Sequence, residues 1–200
     1  MKIVVIKYNA GNVQSVTYAL NRLGIEPVLS DDPEVIRAAD KVIFPGVGEA
    51  STTMRYLRQS GLDRLIPSLT QPVLGICLGM QLMCAHSEEG NVDCLGIFDH
   101  QVRRFSSEKV KVPHMGWNLL GELKSPLMED LGEKPFVYFV HSFYVESGIH
   151  TIASADYGIR FSAALQKDNF FATQFHPEKS GLPGAQILKN FIDYADHTSN

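Results

Sequence analysis

The tightest constraint on this chain is the stretch Pro72-Val73-Leu74-Gly75-Ile76-Cys77-Leu78-Gly79-Met80-Gln81-Leu82-Met83. Val73 to Ile76 is an apolar run with the length of a fully buried strand. Met80, Leu82, Met83 and Ala85, behind Gly79, suit the start of a buried helix. A strand buried on both faces belongs inside a parallel sheet covered by helices. Cys77 stands at the junction with glycines two residues before and two after, the sulfur counterpart of the Gly-x-Ser-x-Gly turn. Such a turn strains the backbone of its central residue and needs glycine nearby to remove Cβ clashes. It aims the first N–H groups of the helix at the sulfur, a setting that favours negative charge there. It also places the Leu78 N–H to meet a developing oxyanion. A cysteine in an apolar run is ordinarily an inert buried residue, so this stretch by itself leaves catalysis and packing both open.

The first half of the chain repeats the pattern. Residues 3–6 read as a strand, and residues 13–23 have helical spacing (Val13, Val16, Leu20, Leu23) stopped by Gly24. Residues 27–29 read as a second strand, and Ser30-Asp31-Asp32-Pro33 offers caps and a proline for a helix start. Residues 41–44 form a third strand closed by Pro45-Gly46-Val47-Gly48. Helical patterns fill 51–59 and 62–69, and the helix after Cys77 runs to about Ala85. Short apolar strands alternating with helices predict a flavodoxin-like or Rossmann-like layered fold, with helices on both faces of a parallel or mixed central sheet. After residue 95 the texture changes. Strand patterns at 101–105, 136–145, 152–155, 162–166 and 170–175, with few helices between them, predict an antiparallel meander attached to that sheet. A last helix over 183–194 carries Ile187, Leu188, Phe191 and Ile192 on one face, and 197–200 is expected to fray. No repeat or linker interrupts the chain, so residues 1–200 are read as one domain.

Composition narrows the function classes. A formal net charge of -4 gives no electrostatic reason to expect nucleic-acid binding. The opening Met1-Lys2-Ile3-Val4-Val5-Ile6-Lys7 is too short for a signal-peptide core, and no apolar run approaches membrane-spanning length. Three cysteines in no framework spacing suggest free thiols in a reducing compartment, so the expected location is the cytoplasm. No phosphate-loop or zinc pattern appears, and neither a metal nor a cofactor is expected.

The second informative stretch is Thr173-Gln174-Phe175-His176-Pro177-Glu178-Lys179-Ser180. If residues 170–175 form a strand, His176 and Glu178, two apart in extended chain, point the same way. That is a base and its orienter: an imidazole that exchanges protons and a carboxylate that fixes its tautomer. Sites in open parallel sheets lie at the carboxyl ends of strands, where Cys77 also stands. A histidine next to an acid is by itself more often a surface pair; beside the Cys77 turn the catalytic reading is favoured. The third stretch is Pro45-Gly46-Val47-Gly48, whose glycines let backbone N–H groups approach a ligand or simply permit a strand-to-helix turn.

Gly75-Ile76-Cys77-Leu78-Gly79-Met80-Gln81, Phe175-His176-Pro177-Glu178 and Pro45-Gly46-Val47-Gly48 together resemble the class I (triad) glutamine amidotransferases, in matching order over essentially the whole chain. Pro113-His114-Met115-Gly116-Trp117-Asn118, Tyr138-Phe139-Val140-His141-Ser142-Phe143 and Gly11-Asn12 narrow the resemblance to the glutaminase subunits of imidazole glycerol phosphate synthase, in histidine biosynthesis. The resemblance implies that Cys77 attacks the side-chain amide of glutamine, that N–H groups of Val47 and Leu78 hold the oxyanion, and that His176, oriented by Glu178, serves as acid and then base. It implies glutamine contacts from Gly46, Gly48, Gln81, Glu89, His141, Ser142 and Phe143. Gln81, one helical turn after Cys77, faces the same side; the plain alternatives are a surface Gln81 and a solvated Glu89, the latter about as ordinary as the binding role. The implied partner is a (βα)8-barrel cyclase subunit that receives ammonia through a tunnel, with Asn12, His114, Met115, Trp117, Asn118 and Lys179 as interface candidates. Trp117, the sole tryptophan, lies in a turn-like stretch and reads as an interface anchor or as core.

The chain departs from the family pattern at Lys7, where an acid is usual, at Asn9, where glycine is usual, and at Glu49-Ala50-Ser51, which replaces an aromatic-plus-glycine run. Cys84 and Cys94 fit no catalytic pattern and read as a buried and a loop thiol. Arg103, Arg104, Lys109 and Lys111 read as a solvated face before they read as a phosphate site. Two other readings compete. One is a glutaminase serving a different synthase, such as the pyridoxal phosphate or anthranilate systems. The other is a non-catalytic regulatory subunit of the same fold.

Overall fold

The computed structural model describes residues 1–8 and 12–195; Asn9, Gly11 and the segment 197–200 lie outside the described residues. The first half alternates as the apolar spacing predicts: β1 Ile3–Ile6, α1 Val13–Arg22, β2 Val28–Ser30, α2 Pro33–Arg37, β3 Lys41–Gly46, α3 Ala50–Ser60, α4 Leu62–Leu65, β4 Val73–Cys77 and α5 Leu78–Met83. Local chemistry sets the boundaries. Asp32 caps α2 by accepting from the Glu34 N–H, and Pro33 fills its first turn. Glu49, one of the family departures, caps α3 by accepting from the Ser51 and Thr52 N–H groups.

The second half supplies β5 His86–Ser87, β6 Val92–Asp93, β7 Gln101–Arg104, β8 His114–Leu119, β9 Phe136–His141, β10 Phe143–Val145, β11 Thr151–Asp156, β12 Arg160–Lys167, β13 Phe170–Thr173 and α6 Gly181–Asp193. The large sheet runs β2-β1-β3-β4-β13-β12-β10-β7-β5-β6, with β11 pairing β12 off this path; β8 and β9 form a separate two-stranded sheet.

Three expectations need correction. The 170–175 pattern is not only part of a meander: β13 lies parallel to β4, in register from Phe170↔Val73 to Thr173↔Ile76, while pairing antiparallel with β12. All four β13 residues are buried, which suits the interior of the sheet. The 136–145 pattern is not one strand. It breaks at Ser142, so β9 pairs with β8 and β10 crosses to β7 and β12. The Trp117 stretch is a strand, not a turn, with Met115, Trp117 and Leu119 exposed and His114 turned inward.

The sheet separates two cores. Val4, Ile6, Val42, Phe44 and Val73 pack with Met54, Leu57 and Leu82 of α3 and α5 on one side. Ile3, Val5, Ile43, Leu74 and Ile76 pack with Leu20, Ile187 and Phe191 of α1 and α6 on the other. The alternation along each strand divides its side chains between the two layers.

Candidate active site

β4 ends at Cys77 and α5 begins at the next residue, so the chain must reverse its character within one peptide. Cys77 bears that strain, with φ 55 and ψ -109, a conformation that L-residues rarely adopt outside functional turns. Gly79 makes the turn possible: a Cβ there would stand 2.0 Å from the Phe44 carbonyl oxygen of β3. Gly46, paired with Cys77 across the sheet, is equally pressed, since a Cβ would meet the Tyr8 hydroxyl and Leu78.

A cleft of about 310 Å³ opens over this junction, lined by Val47, Gly48, Cys77, Leu78, Gln81, Glu89, Pro113, Val140, His141, Ser142 and His176. Cys77 is 7% exposed, enough to present a sulfur to a small molecule while most of the residue is packed.

His176 and Glu178 reach the cleft by another geometry than an extended strand. β13 ends at Thr173, and His176 caps a 3-10 turn over Pro177–Lys179. The turn folds Glu178 back, so its Oε1 lies 2.8 Å from His176 Nδ1 with both side chains buried. His176 Nε2 and Glu178 Oε2 have no hydrogen-bond partner among the described residues. Burial alone would lower the His176 imidazole. The adjoining Cys77 sulfur and Glu178 carboxylate outweigh it and push the ring up to about 10. The Asn12 amide, at the N-terminus of α1, donates to Glu178 Oε1 at 3.4 Å.

The other expected contacts fall as follows. Glu89 lines the cleft and accepts from the Ala50 N–H at 2.9 Å; burial, opposed by that bond and aided by Glu49, raises its carboxyl. Gln81 is buried, and its Nε2 donates to the Phe143 carbonyl and to Gln174 Oε1. Both of its N–H groups are thereby used, which leaves Oε1 for a ligand. The Phe143 carbonyl also accepts from His141 Nδ1 at 2.7 Å, so this carbonyl is engaged within the protein. Ser142 stands at the break between β9 and β10 and lines the cleft. Among the interface candidates, Met115, Trp117 and Lys179 are exposed, and Asn12 and Asn118 are half-buried. His114, another of those candidates, is only 4% exposed: it stacks on Tyr157 and hydrogen-bonds His141. Arg103 pairs with Glu88 and Glu146, as a solvated face would.

Three features escaped the sequence reading. Tyr8, buried, donates to the Pro45 carbonyl at 2.5 Å and tethers the chain just before Gly46. Burial, with the Cys77 charge adding to it, holds its phenol well above the usual range. His114 Nδ1 donates to His141 Nε2 at 2.9 Å, a buried pair that burial pushes down to about 4 and about 3 respectively. Gln174, fully buried, approaches the Cys77 sulfur. The one available signal was a polar residue inside an otherwise apolar strand run, which demands a partner.

A strained cysteine, a buried imidazole–carboxylate pair and glycine-rich backbone, at the ends of the neighbouring strands β4, β13 and β3, form a constellation suited to nucleophilic acyl transfer. The family described as glutamine amidotransferase class-I matches residues 4–194. An imidazole glycerol phosphate synthase subunit HisH from Bacteroides fragilis (strain YCH46) is 65% identical over 195 residues, covering 96% of this chain and all of the relative. The protein of the same description from Pectobacterium atrosepticum is 48% identical over 96% of this chain and all of the relative. Among solved structures, one described as a glutamine amidotransferase superposes with a TM-score of 0.74 at 20% identity, over 94% of this chain and 96% of the other. The structure of PurLQS from Thermotoga maritima does so at 0.71 and 18%, over 96% and 98%. At those identities the structural likenesses speak for the fold.

Proposed function

Because the chain belongs to the class-I glutamine amidotransferases, we propose that Cys77, His176 and Glu178 are its hydrolytic triad, with Val47 and Leu78 N–H groups as oxyanion donors. The chain serves imidazole glycerol phosphate synthase as its glutamine-hydrolysing subunit, in histidine biosynthesis, beside a cyclase subunit. The observation that carries the triad is the shared cleft: Cys77, at φ 55, and His176, locked to Glu178 at 2.8 Å, line the same pocket.

The mechanism follows from those positions. Cys77 Sγ adds to the carboxamide carbon of glutamine, and the carbonyl oxygen takes up the charge against the Leu78 and Val47 N–H groups. His176 gives its proton to the departing nitrogen, and ammonia leaves a glutamyl thioester. His176 then takes a proton from water, which adds to the thioester and releases glutamate and the sulfur. Glu178 holds the ring with Nε2 facing the reaction. Gln81 Oε1 and the Glu89 carboxylate suit the α-ammonium of glutamine, with Gly46, Gly48, His141, Ser142 and Phe143 shaping the remaining walls.

Ammonia in water at neutral pH is mostly ammonium, which is no nucleophile, so it must pass unprotonated to the cyclase. The exposed row of Met115 and Trp117, with Asn12, Asn118 and Lys179 around it, is the face proposed for that partner. The chain is proposed to act as a single domain in the cytoplasm. Cys77, Cys84 and Cys94 are free thiols, and no helix of the described residues is long and apolar enough to cross a membrane. The deciding experiment measures glutamate release by wild type and Cys77→Ala, alone and with the cyclase and its nucleotide ligand. Activity that needs Cys77 and rises with the partner is expected; Cys77-independent activity would remove the triad.

A further inference from the structure

Besides the His176 ring, the sulfur of Cys77 meets an acceptor and a donor, one for each of its protonation states. As a thiol it donates to the Val140 carbonyl at 3.9 Å. As a thiolate it can only accept, and beside the His176 ring, which adjoins it, the Gln174 side-chain N–H reaches it at 3.8 Å. Gln174 follows β13 and is completely buried, so it does not turn away to solvent.

The orientation of Gln174 is fixed by a carbonyl that it does not touch. The Phe143 carbonyl can only accept, so the Gln81 atom 3.0 Å from it must be Nε2. The second Gln81 N–H then points at Gln174, whose facing atom must be Oε1, at 2.9 Å. That leaves the Gln174 nitrogen, and not its oxygen, against the sulfur. The same carbonyl orders the other arm. His141 Nδ1 must donate to it, so His141 Nε2 is bare and takes the His114 Nδ1 proton. The Asn118 amide stands 3.5 Å from His114 Nε2 and closes this arm. Protonating either histidine would set two N–H groups face to face, which the buried pair resists.

We propose that Gln174 is a catalytic residue of the glutaminase: its amide N–H, aimed by Gln81, holds the thiolate of Cys77 ready for attack. This rests on Cys77 as nucleophile but adds a group that the triad does not contain. The titratable groups facing the sulfur are His176 and Tyr8. His176 spends its proton on the leaving nitrogen, and Tyr8 donates to Pro45, so neither holds the sulfur throughout. Gln174 holds it without exchanging a proton.

The test uses the full chain with Gln174→Glu, which keeps the size and the acceptor toward Gln81 but sets a carboxylate against the sulfur, and with Gln174→Met, which removes the donor. Iodoacetamide labelling of the Cys77 peptide is followed across pH by mass spectrometry, and kcat and KM are measured with the cyclase present. In Gln174→Glu, labelling near neutral pH falls about tenfold or more, and its profile moves to higher pH. In Gln174→Met the labelling falls by less. In both, kcat drops while KM for glutamine holds. Labelling profiles that superimpose on wild type overturn the proposal, even where kcat is lost, because a merely structural role would lower kcat without moving the profile. If Gln174→Glu shows no cooperative melt, Gln174→Met decides alone, and a wild-type labelling rate in it overturns the proposal. Retained activity in Cys77→Ala would sink the triad; unchanged Gln174 variants beside a dead Cys77→Ala would sink only this inference.

Discussion

The two walls of the cleft are built by opposite means. The wall at β4 and α5 is backbone architecture: a residue at positive φ, a glycine that admits a neighbouring carbonyl, and apolar side chains on either side. The wall at β9, β13 and the turn after it is side-chain chemistry: His176 on Glu178, His141 on His114, and Gln174 held by Gln81 reaching over from α5, all buried. A backbone turn holds one atom in one place whatever its charge. A buried polar network sets proton positions and fails as a unit when one member changes. The proposed nucleophile sits on the first wall and the groups proposed to move its protons on the second.

The largest effect expected is on chemistry, at the first wall. Cys77→Ala should reduce glutamate release by about four orders of magnitude or more, while the thermal melt stays near wild type. Next comes the backbone on which that wall depends. Gly79→Ala places its new Cβ 2.0 Å from the Phe44 oxygen, and denaturant titration should show a loss above about 4 kcal/mol or no folded protein. A mild loss would mean that the turn is soft and that the contrast between the walls is overdrawn.

The second wall is tested by pH. His114 and His141 are held down to about 4 and about 3 from an ordinary 6.5. An unfolded chain protonates them near the ordinary value and the folded one does not, so stability is lost as pH falls from about 6.5 toward those values. A His114→Phe/His141→Leu variant should lose less on acidification than wild type, in melts taken at descending pH. His176 runs the other way: raised to about 10, it contributes stability that is full below about 6.5 and lost as pH rises toward about 10. The margin of wild type over His176→Asn should therefore shrink with rising pH, and a margin flat across that window would break the assignment. Trp117→Ala should change the fold least. At 55% exposure, it should move the stability of the isolated chain by about 0.5 kcal/mol or less, while cyclase affinity, read by titration calorimetry, falls at least about tenfold.

The first wall was legible in the sequence, and the second only in outline. Val73-Leu74-Gly75-Ile76-Cys77-Leu78-Gly79 carries its strand, its turn and its reason for glycine within a few residues, because elbow geometry is local. His176 and Glu178 were readable as a pair, but by the wrong geometry: their contact comes from a 3-10 turn at Pro177, not from strand alternation. The His114–His141 contact depends on the β8–β9 register, which pairs those residues across the hairpin; no spacing rule announces it. His114 was therefore legible only as an interface candidate. Gln174 passed unremarked because a single glutamine beside a strong His-Pro-Glu motif draws no notice until its burial is known.

The outward face of β8 and β9 carries Met115, Trp117, Leu119 and Phe136 in the open, with Trp117 set opposite Tyr138 and Leu119 opposite Phe136. Apolar surface on this scale is safe only while something covers it. With this face proposed as the cyclase's docking site, a cell that makes the subunit in excess of its cyclase is expected to accumulate chains with that apolar surface uncovered, and the dosage of the two genes then becomes a matter of solubility as well as of flux. Expression of the chain alone should raise the insoluble fraction, and co-expression with the cyclase should return it to solution.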